Sequence, residues 1–507
     1  MKQAFVLPIV ILSLLGILDA SFLTYQKINH IIPPCTPGFQ CETVLNSPWA
    51  NIGPVPLSAL GLVFYSIVFI FAAVTLLEKK VKIGKMDNQD ILMALTAFGG
   101  GFSLYLVFIM QFLIKAYCTY CLLSAIICAL LFSVSFVSYF IVGKKKLYFL
   151  KNRIIATLYQ PFKQLMFLAD AEDVHNGMTS LGNLLGSTLV GRKLTAWIFK
   201  YHSPETEKII DGIIFPNPIG LAAGFDYNGE LTQILPSVGF GYQMVGTVTY
   251  QPYAGNKKPR LGRFPDSKAL LVNKGLKSLG AVAIAKKLTP LSFEYPVGIS
   301  IAATNKTFDS TRDQLLDIIK SFQVFERSMV EHSFYELNIS CPNTFGGEPF
   351  TNPKRLKFLL DALSKIKINR PIYIKMPIDQ SIENTMSLLK VASKYNFING
   401  VNIGNLAKDR QKAEMTKEDK EEWQTMKGNL SGKPTFKKSN QLIKATKKQF
   451  GNRFTIIGTG GIFSPEDAKL KMKLGADLVQ LISGMIFEGP QLMGMINFQL
   501  EQKELKK

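Results

Sequence analysis

A chain of 507 residues is too long for one hydrophobic core, so two or three domains are expected. A hydrophobic content of 47% and a mean hydropathy of +0.16 exclude a soluble enzyme throughout and place part of the chain in lipid. The net charge of +21, from 58 Lys+Arg against 37 Asp+Glu, comes without a basic cluster interleaved with aromatics. The excess therefore predicts attraction to anionic lipid of the bilayer's inner leaflet and no nucleic acid partner.

Four apolar runs open the chain, at 5–23, 57–77, 91–114 and 122–142. Each has about the 20 residues that a bilayer-spanning helix needs. The first resembles a cleaved signal peptide in length, but three further spans and a matched set of cysteines argue for a retained helix. Lys79, Lys80, Lys82 and Lys85 follow the second run, and Lys144, Lys145 and Lys146 follow the fourth. By the positive-inside rule those segments are cytoplasmic, so the 29–56 loop and the turn between the third and fourth spans face outward.

That topology puts four of the six cysteines on the oxidising side: Cys35 and Cys41 in the first outward loop, and Cys118 and Cys121 as C-T-Y-C at the start of the fourth span. A C-x-x-C at a helix N-terminus favours thiolate and is able to close a disulfide, and a second pair in a loop is able to feed it by exchange. Two structural disulfides or a four-thiolate zinc site are the alternatives, the latter disfavoured by the C-x5-C spacing; no metal site is expected. Cys128, mid-span, reads as a packed hydrophobe. Asp19 places an ionisable group in hydrocarbon, which points to function or else to a polar packing contact.

The ordered segments Cys41-Glu-Thr-Val-Leu-Asn-Ser47, Val55-Pro-Leu-Ser-Ala-Leu-Gly61 and C-T-Y-C resemble the vitamin K epoxide reductase family in its bacterial form, over about residues 1–145. The resemblance implies that Cys118 and Cys121 pass electrons to a membrane quinone. It also implies that Cys35 and Cys41 accept them from an extracytoplasmic thioredoxin-like thiol protein.

Residues 146–205 are basic and amphipathic, with Phe162, Leu165, Leu168, Leu181, Leu184 and Leu185 spaced for short helices. Such helices lie on a membrane surface or pack on a neighbouring domain. From 206 to 507 short β runs alternate with helical stretches. The runs are 220–224, 243–247, 297–301, 335–338, 372–375, 400–404, 455–458 and 478–483, and eight such units predict a (β/α)8 TIM barrel. The fold class is therefore multidomain, a four-helix transmembrane bundle followed by a barrel.

Active sites of that barrel lie at the C-terminal strand ends, so Thr247, Asn338, Lys375, Asn405 and Ser483 converge on one mouth. Gly458-Thr-Gly-Gly461 and Ser483-Gly484, after the seventh and eighth strands, let backbone amides approach a phosphate closely. A buried Lys375 needs an anionic partner or a shifted pKa, and the electron-rich edge of a reduced flavin is one such partner. Cys341 is a candidate base or an inert buried thiol.

Here a second resemblance enters, over about residues 155–500. Ala222-Ala-Gly-Phe-Asp226, Gly246-Thr-Val-Thr249, Lys258-Pro-Arg-Leu261, Asn338-Ile-Ser-Cys-Pro-Asn-Thr344, Ile374-Lys375, Leu430-Ser-Gly432 and Ile457-Gly-Thr-Gly-Gly461 resemble dihydroorotate dehydrogenase. The helices before them resemble the membrane-bound, quinone-using branch of that family. The resemblance implies FMN in an FMN-binding barrel, held by Ala223, Gly224, Thr247, Ser300, Asn338, Lys375, Gly404, Gly432, Gly461, Ser483 and Gly484. It implies Cys341 as the base that takes a proton from C5 of dihydroorotate, and Asn338, Asn343 and Asn405 around the pyrimidine.

The sequence departs from the family pattern at several points. Cys341 is typical of the soluble branch, Tyr227 replaces the usual lysine after Gly-x-Asp, and Ser300, Gly404 and Ile482 replace the usual flavin-contacting Asn, Thr and Tyr. The substrate loop reads Val272-Asn-Lys-Gly-Leu-Lys-Ser278, where Lys274 or Lys277 supplies a cation for the carboxylate. The expected activity is oxidation of dihydroorotate to orotate for pyrimidine biosynthesis, with quinone as acceptor, in a multi-pass inner-membrane protein whose barrel is cytoplasmic. The alternative is an FMN oxidoreductase acting on another dihydropyrimidine or an enone, its N-terminal unit a mere anchor.

Overall fold

The computed structural model describes residues 2–77, 82–83, 86–142 and 144–504. Lys79, Lys80 and Lys85, used above for topology, lie outside the described residues. The chain divides into two compact units, Met1–Leu150 and Lys151–Lys507.

In the first unit, helices α1 (Lys2–Ile28), α2 (Leu57–Leu76), α3 (Asn88–Ile109) and α4 (Thr119–Val142) form a bundle. The stretches Val6–Ile28, Leu57–Leu76, Asn88–Ile114 and Thr119–Tyr139 are long and apolar enough to cross a membrane. The bundle buries Val6, Ile9, Tyr65, Val68, Leu92 and Leu131 at its centre, while Leu18, Phe98 and Leu104 stay exposed as lipid-facing residues do. Helix α3 starts on a capping box in which the Asp87 carboxylate accepts from the Gln89 and Asp90 N–H groups. It ends in a π-helical turn, Met110–Ile114, closed by Lys115 at φ 57°. That turn delivers the chain to Cys118, the residue before α4.

Helix α5 (Lys144–Phe167), of which the part from Lys151 on belongs to the second unit, α6 (Ala171–Gly186) and α7 (Leu189–Phe199) precede a closed parallel barrel. Its strands are β1 (Ile219–Leu221), β2 (Tyr242–Val248), β3 (Val297–Ile301), β4 (Phe334–Asn338), β5 (Ile372–Met376), β6 (Ile398–Ile403), β7 (Thr455–Thr459) and β8 (Leu478–Leu481). All eight predicted runs form, because apolar segments buried on both faces leave no polar face for water. The hairpin Lys208–Ile210/Ile213–Phe215 precedes β1, and Phe215 packs with Tyr242, Phe334 and Tyr373. A three-stranded antiparallel sheet, Leu261–Phe264, Ala269–Val272 and Asn429–Gly432, is built from two connections between barrel strands and was not foreseen.

Helices α5 to α7 have two apolar faces. One is tied to the barrel: Tyr159 Oη donates to the Ile486 carbonyl at 2.8 Å, and Arg263 donates to the Ala169 carbonyl at 2.7 Å with its guanidinium over the Phe167 ring. The other leaves Leu158, Leu165, Leu168, Leu184, Val190 and Trp197 more than half exposed. Both sequence readings of this segment are thus compatible with it, one for each face.

Candidate functional site

Two cavities hold the chemistry. The barrel-side one, of about 620 Å³, begins among the apolar side chains of α5 and α6 and ends at the barrel mouth. Of the residues expected around a cofactor, Ala223, Gly224, Thr247, Asn338 and Lys375 line it; of those expected around a substrate, Cys341, Asn343, Asn405 and Lys274 do. Gly224 has φ +108°, and a Cβ placed there would meet nothing within 4 Å, so its open side faces free space.

Ser300, Gly404, Gly432, Gly461, Ser483, Gly484 and Lys277 do not line this cavity. Ser483 reaches it through Ser431, a lining residue whose hydroxyl lies 2.9 Å from that of Ser483. Gly432 follows Ser431, and Gly461 stands at φ +72° against Phe436. Lys277 is half-buried and apart from the lining.

Beneath the mouth the strands carry a buried polar row. Asn338 Nδ2 donates to Thr247 Oγ1 at 2.9 Å, Thr247 and Ser300 hydroxyls meet at 3.0 Å, and Ser300 Oγ donates to Glu336 at 2.8 Å. Asn402 Nδ2 donates to Glu336 Oε2 at 2.5 Å and to Gln480 Oε1 at 2.9 Å. Lys375 Nζ lies 3.7 Å from Glu336 Oε1. The anionic partner that Lys375 requires is therefore present in the protein itself. Sequence reasoning missed Glu336, Asn402 and Gln480, although each is a polar residue in an apolar strand at a barrel-interior position.

The loop after β4 is fixed at both ends. Ser340 Oγ donates to the Lys375 carbonyl at 2.9 Å, and Asn405 Nδ2 donates to the Ser340 carbonyl and hydroxyl at 2.7 and 2.8 Å. Asn343 Nδ2 donates to the Val272 carbonyl at 2.9 Å and its Oδ1 accepts from Asn429 at 2.6 Å. Between them sits Cys341. Burial pushes its thiol up to about 11, against the opposing pull of the Asn343 N–H and the Lys375 charge.

A second missed group is Glu172 on α6. Its two oxygens accept from Lys274 Nζ at 2.6 Å and Arg260 Nε at 2.9 Å, all three groups being largely buried. Burial pushes the Glu172 carboxyl up, yet the hydrogen bonds and charges of both cations outweigh it and hold the group below its ordinary value. The Lys274 ammonium sits 5.3 Å from the centre of the Tyr227 ring. Removing one member of such a cluster leaves buried charge without a partner, so Glu172→Ala is expected to cost about 3–5 kcal/mol. Urea unfolding of the second unit measures it; a loss under about 1 kcal/mol contradicts the ion-pair account.

The other cavity, about 690 Å³, lies in the first unit and is lined among others by Asp19, Tyr65, Cys121, Ser124 and Cys128. Cys35 and Cys41 form a disulfide, whereas Cys118 and Cys121 are thiols. Cys35, Cys41, Cys118 and Cys121 belong to one apolar cluster with Val44, Met110 and Ala116, so the four predicted cysteines converge. The 29–56 loop is held there by Tyr120 Oη, which donates to the Pro34 carbonyl at 2.7 Å, and by Gln40 N–H on the Tyr117 carbonyl at 2.9 Å. Cys118 Sγ accepts from the Cys121 N–H at 3.5 Å, the geometry of a helix cap. Among the described residues no cluster of three or more metal-ligating side chains occurs.

The dihydroorotate dehydrogenase family model matches residues 206–503. The chain belongs to that family. The vitamin K epoxide reductase family model matches residues 7–136. A dihydroorotate dehydrogenase (quinone) of a Cyanothece species is 30% identical over 369 residues, covering 69% of this chain and 97% of the relative. Another protein of that name, from Rhizobium meliloti, is 34% identical over 301 residues, covering 58% of this chain and 80% of the relative. The crystal structure of an Eimeria tenella DHODH in complex with ferulenol superposes with a TM-score of 0.56 at 23% identity, covering 66% of this chain and 92% of that one, which shows the fold. The chain is thus a multidomain membrane enzyme, a dihydroorotate dehydrogenase barrel preceded by a vitamin K epoxide reductase-type bundle.

Proposed function

We propose that the barrel oxidises dihydroorotate to orotate with FMN as its resident cofactor and a membrane quinone as acceptor, while the N-terminal unit links oxidation of an extracytoplasmic thiol protein to reduction of quinone. The observation that carries the first part is the single cavity in which Lys375, Asn338 and Cys341 share space with apolar side chains of α5 and α6. The quinone-linked activity for which the Cyanothece and Rhizobium relatives are named supports the acceptor. In this reading residues 1–145 span the inner membrane, 146–205 lie on its surface as the quinone entrance, and 206–507 form the cytoplasmic barrel.

FMN fits the residues present. Gly224 leaves a cradle that a side chain would fill, and Lys375 and Asn338 offer donors to a polar planar ring. Gly461, Ser483 and Gly484 follow β7 and β8 and, with Gly432, would hold its phosphate. When bound, FMN supplies a hydride acceptor for C6 of dihydroorotate and a donor to quinone.

The chain's own residues do the rest. Cys341 takes the C5 proton as a thiolate, and Asn338, Asn343 and Asn405 orient the pyrimidine amides. Glu336 holds Lys375 in place beneath the mouth. Lys274 faces the substrate carboxylate, since it lines the cavity with one of its three N–H donors committed to Glu172, whereas Lys277 does not line it.

The reading is tested by the pH dependence of flavin reduction under anaerobic rapid mixing with dihydroorotate. A thiol raised to about 11 is mostly protonated at neutral pH, and the thiolate fraction grows as pH rises. The rate is therefore expected to climb about tenfold per pH unit through the neutral range. A rate that is flat there contradicts Cys341 as the base.

A further inference from the structure

Asp19 is a carboxylate in the middle of a bilayer-spanning helix, where an ionisable group is costly unless it is used. Its residue is 9% exposed and its buried Oδ2 has no hydrogen-bond partner. A carboxylate kept for packing would be bonded, as buried polar atoms nearly always are. The neighbouring donor is already committed, since Tyr65 Oη meets Ser124 Oγ at 2.8 Å and Cys128 Sγ at 3.2 Å. Gln26 Oε1, two turns along α1, is a second buried acceptor without a partner. Asp19, Gln26 and Cys121 all line the 690 Å³ cavity.

Orphaned acceptors beside a redox thiol call for a ligand whose oxygens gain and lose protons. A quinone carbonyl only accepts hydrogen bonds, so it pairs with Asp19 in the protonated form. A hydroquinone hydroxyl donates, so it pairs with the carboxylate. We propose that Asp19 is the proton relay of this cavity, carrying the proton of the Cys121 thiol to the quinone oxygen.

The proposal rests on reading the N-terminal unit as a thiol:quinone oxidoreductase. In the step, the two S–H bonds of Cys118 and Cys121 break and one S–S bond forms. The two electrons released reduce a benzoquinone, and its two oxygens each gain a proton. Asp19 takes the Cys121 proton and gives one up, so it is unchanged after a turnover; the Cys118 proton leaves to water, and the other oxygen takes one proton from water. The other titratable groups around the cavity are Tyr65 from α2, Cys121 and Cys128 from α4, and Lys27, His30 and Glu42. Lys27 is held by the Leu45 carbonyl at 2.7 Å.

The test uses the full chain in lipid vesicles, its thiols reduced and the reductant removed, mixed with a short-tailed benzoquinone across a pH series. Asp19→Asn is expected to slow hydroquinone formation about 100-fold and flatten its pH profile. Asp19→Glu is expected to recover most of the rate. Quenching of Trp49, another residue lining the cavity, by the quinone should survive in both variants. An Asp19→Asn protein with the wild-type rate and pH profile overturns the relay, and so does one that no longer binds the quinone. A wild-type dithiol that reduces no quinone overturns the thiol:quinone reading, and the relay with it.

Discussion

Cys341→Ala is expected to lower the rate of flavin reduction by dihydroorotate about 100-fold or more while FMN stays bound. The substitution removes the only thiol lining the barrel-side cavity among the described residues and leaves Lys375, Asn338 and Gly224 in place. It also leaves the scaffold of the loop, because Ser340, Asn343 and Asn405 make their hydrogen bonds without the Cys341 side chain. Cys341→Ser keeps a proton-accepting atom and should retain part of the rate. Anaerobic rapid mixing gives the rate and the absorbance of the purified protein gives the flavin content. An unchanged reduction rate in Cys341→Ala would reduce this thiol to packing.

The second large effect is expected in the membrane unit. Cys118→Ala or Cys121→Ala should abolish quinone-dependent thiol oxidation and leave dihydroorotate:quinone activity within about twofold of wild type. The cavity with Cys121 is lined by residues from Asp19 to Cys128, and the one with Cys341 by residues from Ile155 to Pro490, so each is complete within its own unit. On the proposed reading, electrons are expected to pass between them only by way of quinone diffusing in the bilayer. Thiol trapping in cells follows the first half, since a pair that stays reduced whatever the quinone supply does not cycle. If either substitution stops flavin reoxidation, the two units form one chain of electron transfer and the account of two enzymes on one pool is wrong.

What could be read in advance follows from how each feature is encoded. The spans and barrel strands are local: an apolar run of fixed length, or a short β segment ending in small residues, carries its own signal. Thr247, Asn338, Lys375 and Asn405 were legible because strand ends of this fold converge by topology. Glu336 was not, since its role depends on Ser300, Lys375 and Asn402 from three other strands. Glu172 lies 102 residues from Lys274 on an amphipathic helix, where a carboxylate ordinarily faces water. The extra antiparallel sheet escaped notice because its strands have only four residues each and its third strand pairs with Ala269–Val272 across a gap of more than 150 residues. Lys277, read as equivalent to Lys274, turns out to lie away from the lining, a distinction that a spacing of three residues in a loop does not encode.

The central claim is that the barrel moves electrons from dihydroorotate to quinone through a bound flavin. It is tested most directly by the absorbance of the full-length protein, kept free of oxygen, before and after dihydroorotate and then after a quinone. The account predicts a flavin spectrum that bleaches on the first addition and returns on the second. A protein that carries no flavin and takes up none, or a flavin that dihydroorotate leaves oxidised, would contradict it.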